Sequence, residues 1–163
     1  ANPHAVPSDR VIEKGDFVLM DYGAGYCDYR SDMTRTVVMG EPTQEQLDLY
    51  ALVRRTHEEC VAAIHPGVEG NDIFKLSKKI IGDAGYGDYY NHGLGHGVGI
   101  DIHELPNFNR SKNTIEVGSV ITMEPGVYLP RVGGVRLEDY GVVTENGYEP
   151  FTKTPHDLHI IDC

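Results

Sequence analysis

Four carboxylates sit where the sequence otherwise builds apolar strands. Asp21 interrupts FVLMDYG (17–23), Asp32 lies within YRSDMTRTVVM (29–39), Glu124 ends VGSVITME (117–124), and Glu138 stands inside VRLEDYGVVT (135–144). Aspartate is depleted in strands. A carboxylate taken out of water is costly unless it is paired or bound to a cation. A fold for this chain must therefore find each carboxylate a partner or gather the four into one site. The first two segments flank a turn at 25–28, which predicts a β-hairpin with Asp21 and Asp32 facing each other across an antiparallel pair. Like charges held that close raise each other's pKa. Arg30 and Arg35 are the candidates for ordinary salt bridges.

A second unusual stretch is NHGLGHGVGIDIHELP (91–106), with His92, His96 and His103 in a bed of glycines. Glycine lets a backbone approach another group closely, and imidazole is the commonest metal ligand. The stretch reads either as a backbone shaped to present imidazoles into a cavity or as a glycine-rich surface loop with incidental histidines. In the first reading the glycines keep the backbone thin enough for a substrate to lie beside the site. His4, next to Pro3 in a proline-containing opening segment, carries little weight alone.

Between these segments the chain predicts two helices. Thr43 begins one running to His65, because Thr43 and Gln46 form a capping box, Tyr50, Val53, Cys60, Val61 and Ile64 share a face, and Pro66-Gly67 stops it. A second covers 71–84, with Ile73, Phe74, Leu76, Ile80 and Ile81 apolar. His57 and His65 read as exposed helix histidines. Residues 107–113 read as a polar loop. The order of strand pair, two helices and then several strands is an α+β pattern, with helices packed on a mostly antiparallel sheet.

Composition narrows the function. The net charge of −11 over 163 residues argues against a nucleic-acid partner. No apolar run approaches the roughly 20 residues of a membrane-spanning helix, and no basic-plus-apolar leader is visible. Cys27, Cys60 and Cys163 form neither a disulfide framework nor a CxxC site, which fits a reducing cytoplasm. The chain opens at Ala1 without an obvious element start, as an N-terminally truncated protein would.

Asp21, Asp32, Glu124 and Glu138 with His96 form a hard, oxygen-rich ligand set. It suits Mn, Co, Fe or Zn in a dinuclear site rather than a thiolate-bound zinc, with the ions held about 3.5–4 Å apart by bridging carboxylates. At these residues the chain resembles a known family. DYGAGYCDYRSDMTRT, GHGVGIDIHE, TMEPGVY and RLEDYGVVT, in that order, are similar to the metallopeptidases of the pita-bread fold, the family of methionine aminopeptidase, Xaa-Pro aminopeptidase and Xaa-Pro dipeptidase.

The resemblance implies a curved, mostly antiparallel sheet with helices on one side, incomplete at its N-terminus, and a single catalytic domain over 1–163. It implies two divalent metal ions, Mn or Co before Zn or Fe, with Asp21 on one, Asp32 and Glu138 bridging, and His96 and Glu124 completing the other. Glu124 resembles the general base. His103 and His4 resemble histidines that contact the scissile peptide and the leaving nitrogen, and Tyr128 falls among the substrate contacts. His92, four residues before His96, and Arg136, two before Glu138, are similar to the proline-specific members. The implied partner is a peptide with proline at its second position, with room for a homodimer. The family usually carries a further strand-and-helix segment and a separate N-terminal domain ahead of the position of His4. The alternatives are methionine aminopeptidase-like processing, an inactive fragment and a non-catalytic binding module of the same fold.

Overall fold

The computed structural model describes residues 2–109 and 112–162. Phe17–Tyr22 (β1) and Met33–Met39 (β4) form the expected antiparallel hairpin, with Asp21 opposite Thr34. The pair is not continuous. Its tip carries a separate ribbon, Gly25–Tyr26 (β2) against Tyr29–Arg30 (β3), and Asp32 lies in the break before β4 rather than on a strand. Two bonds hold that break, Ser31 N–H to Ala24 O at 2.9 Å and Ala24 N–H to Ser31 Oγ at 3.0 Å. Asp32 and Asp21 are thus not cross-strand partners in register.

The first helix, Gln44–Ala62 (α1), starts where the capping box places it. Gln46 N–H donates to Thr43 Oγ1 at 3.2 Å, and Thr43 N–H donates to the Gln46 side chain at 2.9 Å. It ends before the predicted His65, because Ala63 N–H already closes onto Cys60 O. His65 is exposed, but His57 is buried at 2% exposure, against expectation. It lies four residues after Val53 and three before Cys60, both fully buried, on the stripe that faces the core. The second helix, Gly70–Asp83 (α2), buries Ile73, Phe74, Ile80 and Ile81.

The remaining strands are Gly95–Gly97 (β5), Glu104–Phe108 (β6), Val120–Met123 (β7), Gly126–Leu129 (β8), Gly133–Arg136 (β9), Asp139–Thr144 (β10), Gly147–Pro150 (β11) and Ile160–Ile161 (β12). The main sheet runs β11-β10-β7-β5-β6, a second β1-β4-β12, and β8 pairs with β9. All pairings are antiparallel except β12 with β4. The predicted polar loop at 107–113 starts late, since Asn107 and Phe108 end β6; Arg110 and Ser111 lie outside the described residues. The single strand expected over 135–144 is two. The chain leaves β8's partner at Arg136 and joins β7 at Asp139, and Glu138 sits at the crossing, bridged to Thr34. Both helices contribute to one apolar core with the strands, through Leu49, Val53, Ile81, Ile121, Met123, Val127 and Leu137.

Gly95 and Gly97 serve this packing. A Cβ at Gly95 would sit 2.2 Å from Thr122 O, and one at Gly97 2.5 Å from Leu105 O. The room expected for a substrate is here taken by the neighbouring strands.

Candidate metal centre

The strand breaks converge on one open pocket of about 640 Å³. His4, Asp21, Asp32, His92, His96, His103, Glu124, Arg136 and Glu138 line it. Tyr128 stands behind that wall, 2.9 Å from His92 Nε2.

His96 is the hub. Its Nδ1 lies 2.9 Å from Gly97 O, a contact that places the ring hydrogen on Nδ1 and leaves the Nε2 lone pair directed at the acids. Nε2 is 3.4 Å from Glu124 Oε1 and 3.6 Å from Asp32 Oδ2. Asp32, His96 and Glu138 each offer a ligand atom within 4.8 Å of the others. Thr122 fixes His96 from the next strand, its Oγ1 accepting from His96 N–H at 3.0 Å. His103 stacks edge-on against His96 with ring centroids 4.2 Å apart.

The carboxylates occupy different environments. Glu138 is 2% exposed and Asp32 8%. Burial first, then the negative field of its neighbours, pushes Asp32 up to about 6 and Glu124 up to about 7, and holds Glu138 well above the usual carboxylate range. Asp21 is not buried as the strand pattern implied; it reaches the pocket half-exposed and pairs with Arg136 Nη2. Arg35 pairs instead with Asp139, and Arg30 lines the pocket without an ion pair to its acids. Among the described residues Arg136 is the cation that pairs with the cluster, with Nε 3.9 Å from Glu124 Oε2.

Arg136 also orders the far wall. Its Nη1 donates to Tyr128 Oη at 3.0 Å and to Pro3 O at 3.1 Å, which brings the opening segment and His4 to the pocket. His92 Nδ1 meets Gly93 O at 2.6 Å, so its Nε2 accepts from the Tyr128 hydroxyl. Burial lowers the His92 pKa to about 4, and the ring stays neutral.

Thr34 was missed in the sequence. Its hydroxyl donates to Glu138 Oε2 at 2.6 Å, and its Oγ1 accepts from Arg136 Nε at 3.1 Å. The signal was its place two residues after Asp32, where alternation along an extended chain returns a side chain to the same face.

The donor set fits divalent cations. Four acids gather with His96 in one pocket, and three of them, Asp32, Glu124 and Glu138, are held above their ordinary pKa by burial first and by neighbouring acids second. An α+β scaffold that folds a mostly antiparallel sheet around such a set is that of the pita-bread metallopeptidases. The chain belongs to metallopeptidase family M24, whose sequence pattern matches residues 1–145.

Relatives are similar over nearly the whole chain. The Xaa-Pro dipeptidase of Pyrococcus furiosus is 46% identical over 159 residues, 97% of this chain and 46% of that protein. The prolidase structure from Pyrococcus horikoshii OT3 superposes with a TM-score of 0.94 at 43% identity, over 97% of this chain and 46% of that one. The X-Pro aminopeptidase structure from Thermotoga maritima MSB8 does so with 0.94 at 34% identity, over 98% and 46%. The chain therefore spans just under half the length of the curated relatives it matches. Among the described residues, no helix is long and apolar enough to cross a membrane.

Proposed function

We propose that residues 1–163 are one catalytic domain of an exopeptidase that hydrolyses the bond between an N-terminal residue and proline in dipeptides or short peptides. The observation that carries this reading is the set of desolvated, like-charged carboxylates around His96 Nε2, on the scaffold that the Xaa-Pro relatives share. Asp21, Asp32, His96, Glu124 and Glu138 hold two divalent ions, Mn or Co before Zn or Fe. When bound, the ions polarise the scissile carbonyl and supply an activated water.

The chain's own groups do the rest. Glu124, partly buried with its Oε1 3.4 Å from His96 Nε2, is placed to take and return the proton of that water. Binding of a cation by Asp21 competes with Arg136 for the same carboxylate. His103, beside His96, faces the position of the scissile peptide, and His4 meets the leaving nitrogen. His92, Tyr128 and Arg136 are joined by hydrogen bonds and form the wall that receives the substrate's proline side. The free cysteines Cys27 and Cys60 suit a reducing cytoplasm.

The test is hydrolysis of Xaa-Pro and Xaa-Pro-Yaa peptides with and without Mn or Co. Metal-dependent release of the N-terminal residue supports the reading. Binding of two ions without turnover of either peptide would assign the fold a non-catalytic role.

A further inference from the structure

A second cluster of metal-ligating side chains lies outside the pocket. Asp139 follows Glu138 directly but turns into a different environment, among Arg35 of β4, His57 of α1 and His156 of the C-terminal segment. His156 Nε2 is 2.6 Å and His57 Nε2 3.5 Å from the same oxygen, Asp139 Oδ2. The two imidazoles meet edge-on with centroids 4.9 Å apart.

His57 is the anomaly. It is 2% exposed, and neither ring nitrogen has a hydrogen-bond partner. A buried polar group left without a partner is destabilising. Burial holds the ring neutral, lowering its pKa to about 4, and the neutral imidazole is the form that ligates metal. Arg35 Nη2 holds the other oxygen, Asp139 Oδ1, at 2.7 Å, so Oδ2 is left to the imidazoles.

We propose that His57 Nε2, His156 Nε2 and Asp139 Oδ2 form a separate site for one divalent ion of the zinc class, which staples the C-terminal segment and α1 to β10. The three donor atoms lie within 4.8 Å of one another, and two imidazoles with one carboxylate are a zinc-type donor set. The ion replaces the proton that His156 donates to Asp139, so the His156 hydrogen moves to Nδ1, and it satisfies a nitrogen of His57. The staple has matching supports: Arg35 Nη2 also donates to Thr154 O at 2.8 Å, and Tyr50 Oη to His156 O at 3.2 Å.

This site stands independently of the proposed peptidase reading. The test is equilibrium dialysis against Zn(II) followed by metal analysis of the wild type, His156→Gln and His57→Gln, with circular dichroism as the check on folding. His156 is partly exposed, so its variant is the one expected to fold readily. Each variant is expected to hold one zinc fewer per chain than the wild type. The same single loss is expected when His156→Gln is added to Asp32→Asn, and zinc should raise the Tm of Asp32→Asn but not that of the double variant. Equal zinc content in the wild type and a folded His156→Gln protein overturns the proposal. Failure of Asp32→Asn to lose metal would instead count against the dinuclear centre and leave this comparison intact.

Discussion

Glu138 and Asp139 are sequence neighbours, both nearly fully buried, and they meet opposite electrostatic fates. Glu138 faces other acids, and burial and their repulsion hold it well above its ordinary pKa. Asp139 faces Arg35 and two imidazoles, and despite burial it is held below its ordinary pKa, with hydrogen bonds from His156 and Arg35 and the nearby positive charge outweighing desolvation. One side of the chain stores unfavourable charge that a cation can relieve. The other already offsets its charge with Arg35 and His156, so the ion proposed there acts as a staple and relieves no repulsion. The same residue chemistry thus serves binding or stability according to what surrounds it.

The largest effect expected from breaking this contrast is catalytic. Glu124→Gln should lower kcat for an Xaa-Pro dipeptide by about a thousandfold, within the range of a lost general base, with unchanged circular dichroism. Retained turnover would reject Glu124 as the base.

Next come paired substitutions at the two neighbours. Asp139→Asn leaves Arg35 buried without its carboxylate and should cost about 3–5 kcal/mol in urea unfolding. Glu138→Gln in metal-free protein should be neutral or stabilising, because it removes repulsion, while abolishing the bridging position for the metals. Equal destabilisation by both variants would erase the distinction between the two sides.

A pH series sharpens it further. Asp32 and Glu124 titrate in the folded protein at about 6 and about 7, above their unfolded values. At these two acids the folded state therefore binds more protons between about pH 4 and pH 7, and their contribution to metal-free stability rises as pH falls through that window. Asp139 has the opposite sign. Its lowered pKa contributes stability above its unfolded value, near 4, and that contribution is lost as acid takes the pH through its folded value. Buried neutral His57 and His92, held to about 4, oppose the acids below the unfolded histidine value near 6.5. The acids therefore act unopposed only between about pH 8 and pH 6.5, where metal-free stability should rise as pH falls and saturating metal should remove the trend. A metal-free profile flat in that range would contradict the stored repulsion.

The smallest effect concerns the glycine bed. Gly95→Ala drives a Cβ towards a backbone carbonyl of β7 and should lower the Tm by several degrees, consistent with about 1–3 kcal/mol of overpacking. A Tm unchanged alongside reduced kcat would restore the substrate-room explanation.

How much of this was legible in the sequence depended on range. The capping box of Thr43 and Gln46 is a local code, and it placed the start of α1 correctly. The acids in apolar runs also marked the pocket, because their cost is intrinsic to the residue. The breaks at Asp32 and Glu138 were hidden, since no glycine or proline stands beside either and only the change of strand partner ends the pairing. His57 was misjudged by treating a histidine as polar before locating it on the stripe with Val53 and Cys60. Asp21 was misjudged in the other direction: its apolar neighbours implied burial, but it opens to the pocket and meets Arg136, more than a hundred residues away.

The most direct measurement of the central claim is a Mn(II) titration of the metal-free chain at neutral pH, followed by calorimetry and proton release, for the wild type and Asp32→Asn. Manganese favours the oxygen-rich pocket over the histidine cluster. The account predicts two equivalents bound per wild-type chain, with protons released as Glu124 and Glu138 ionise, and neither equivalent retained by Asp32→Asn. Two equivalents in both proteins, or none in the wild type, would contradict it.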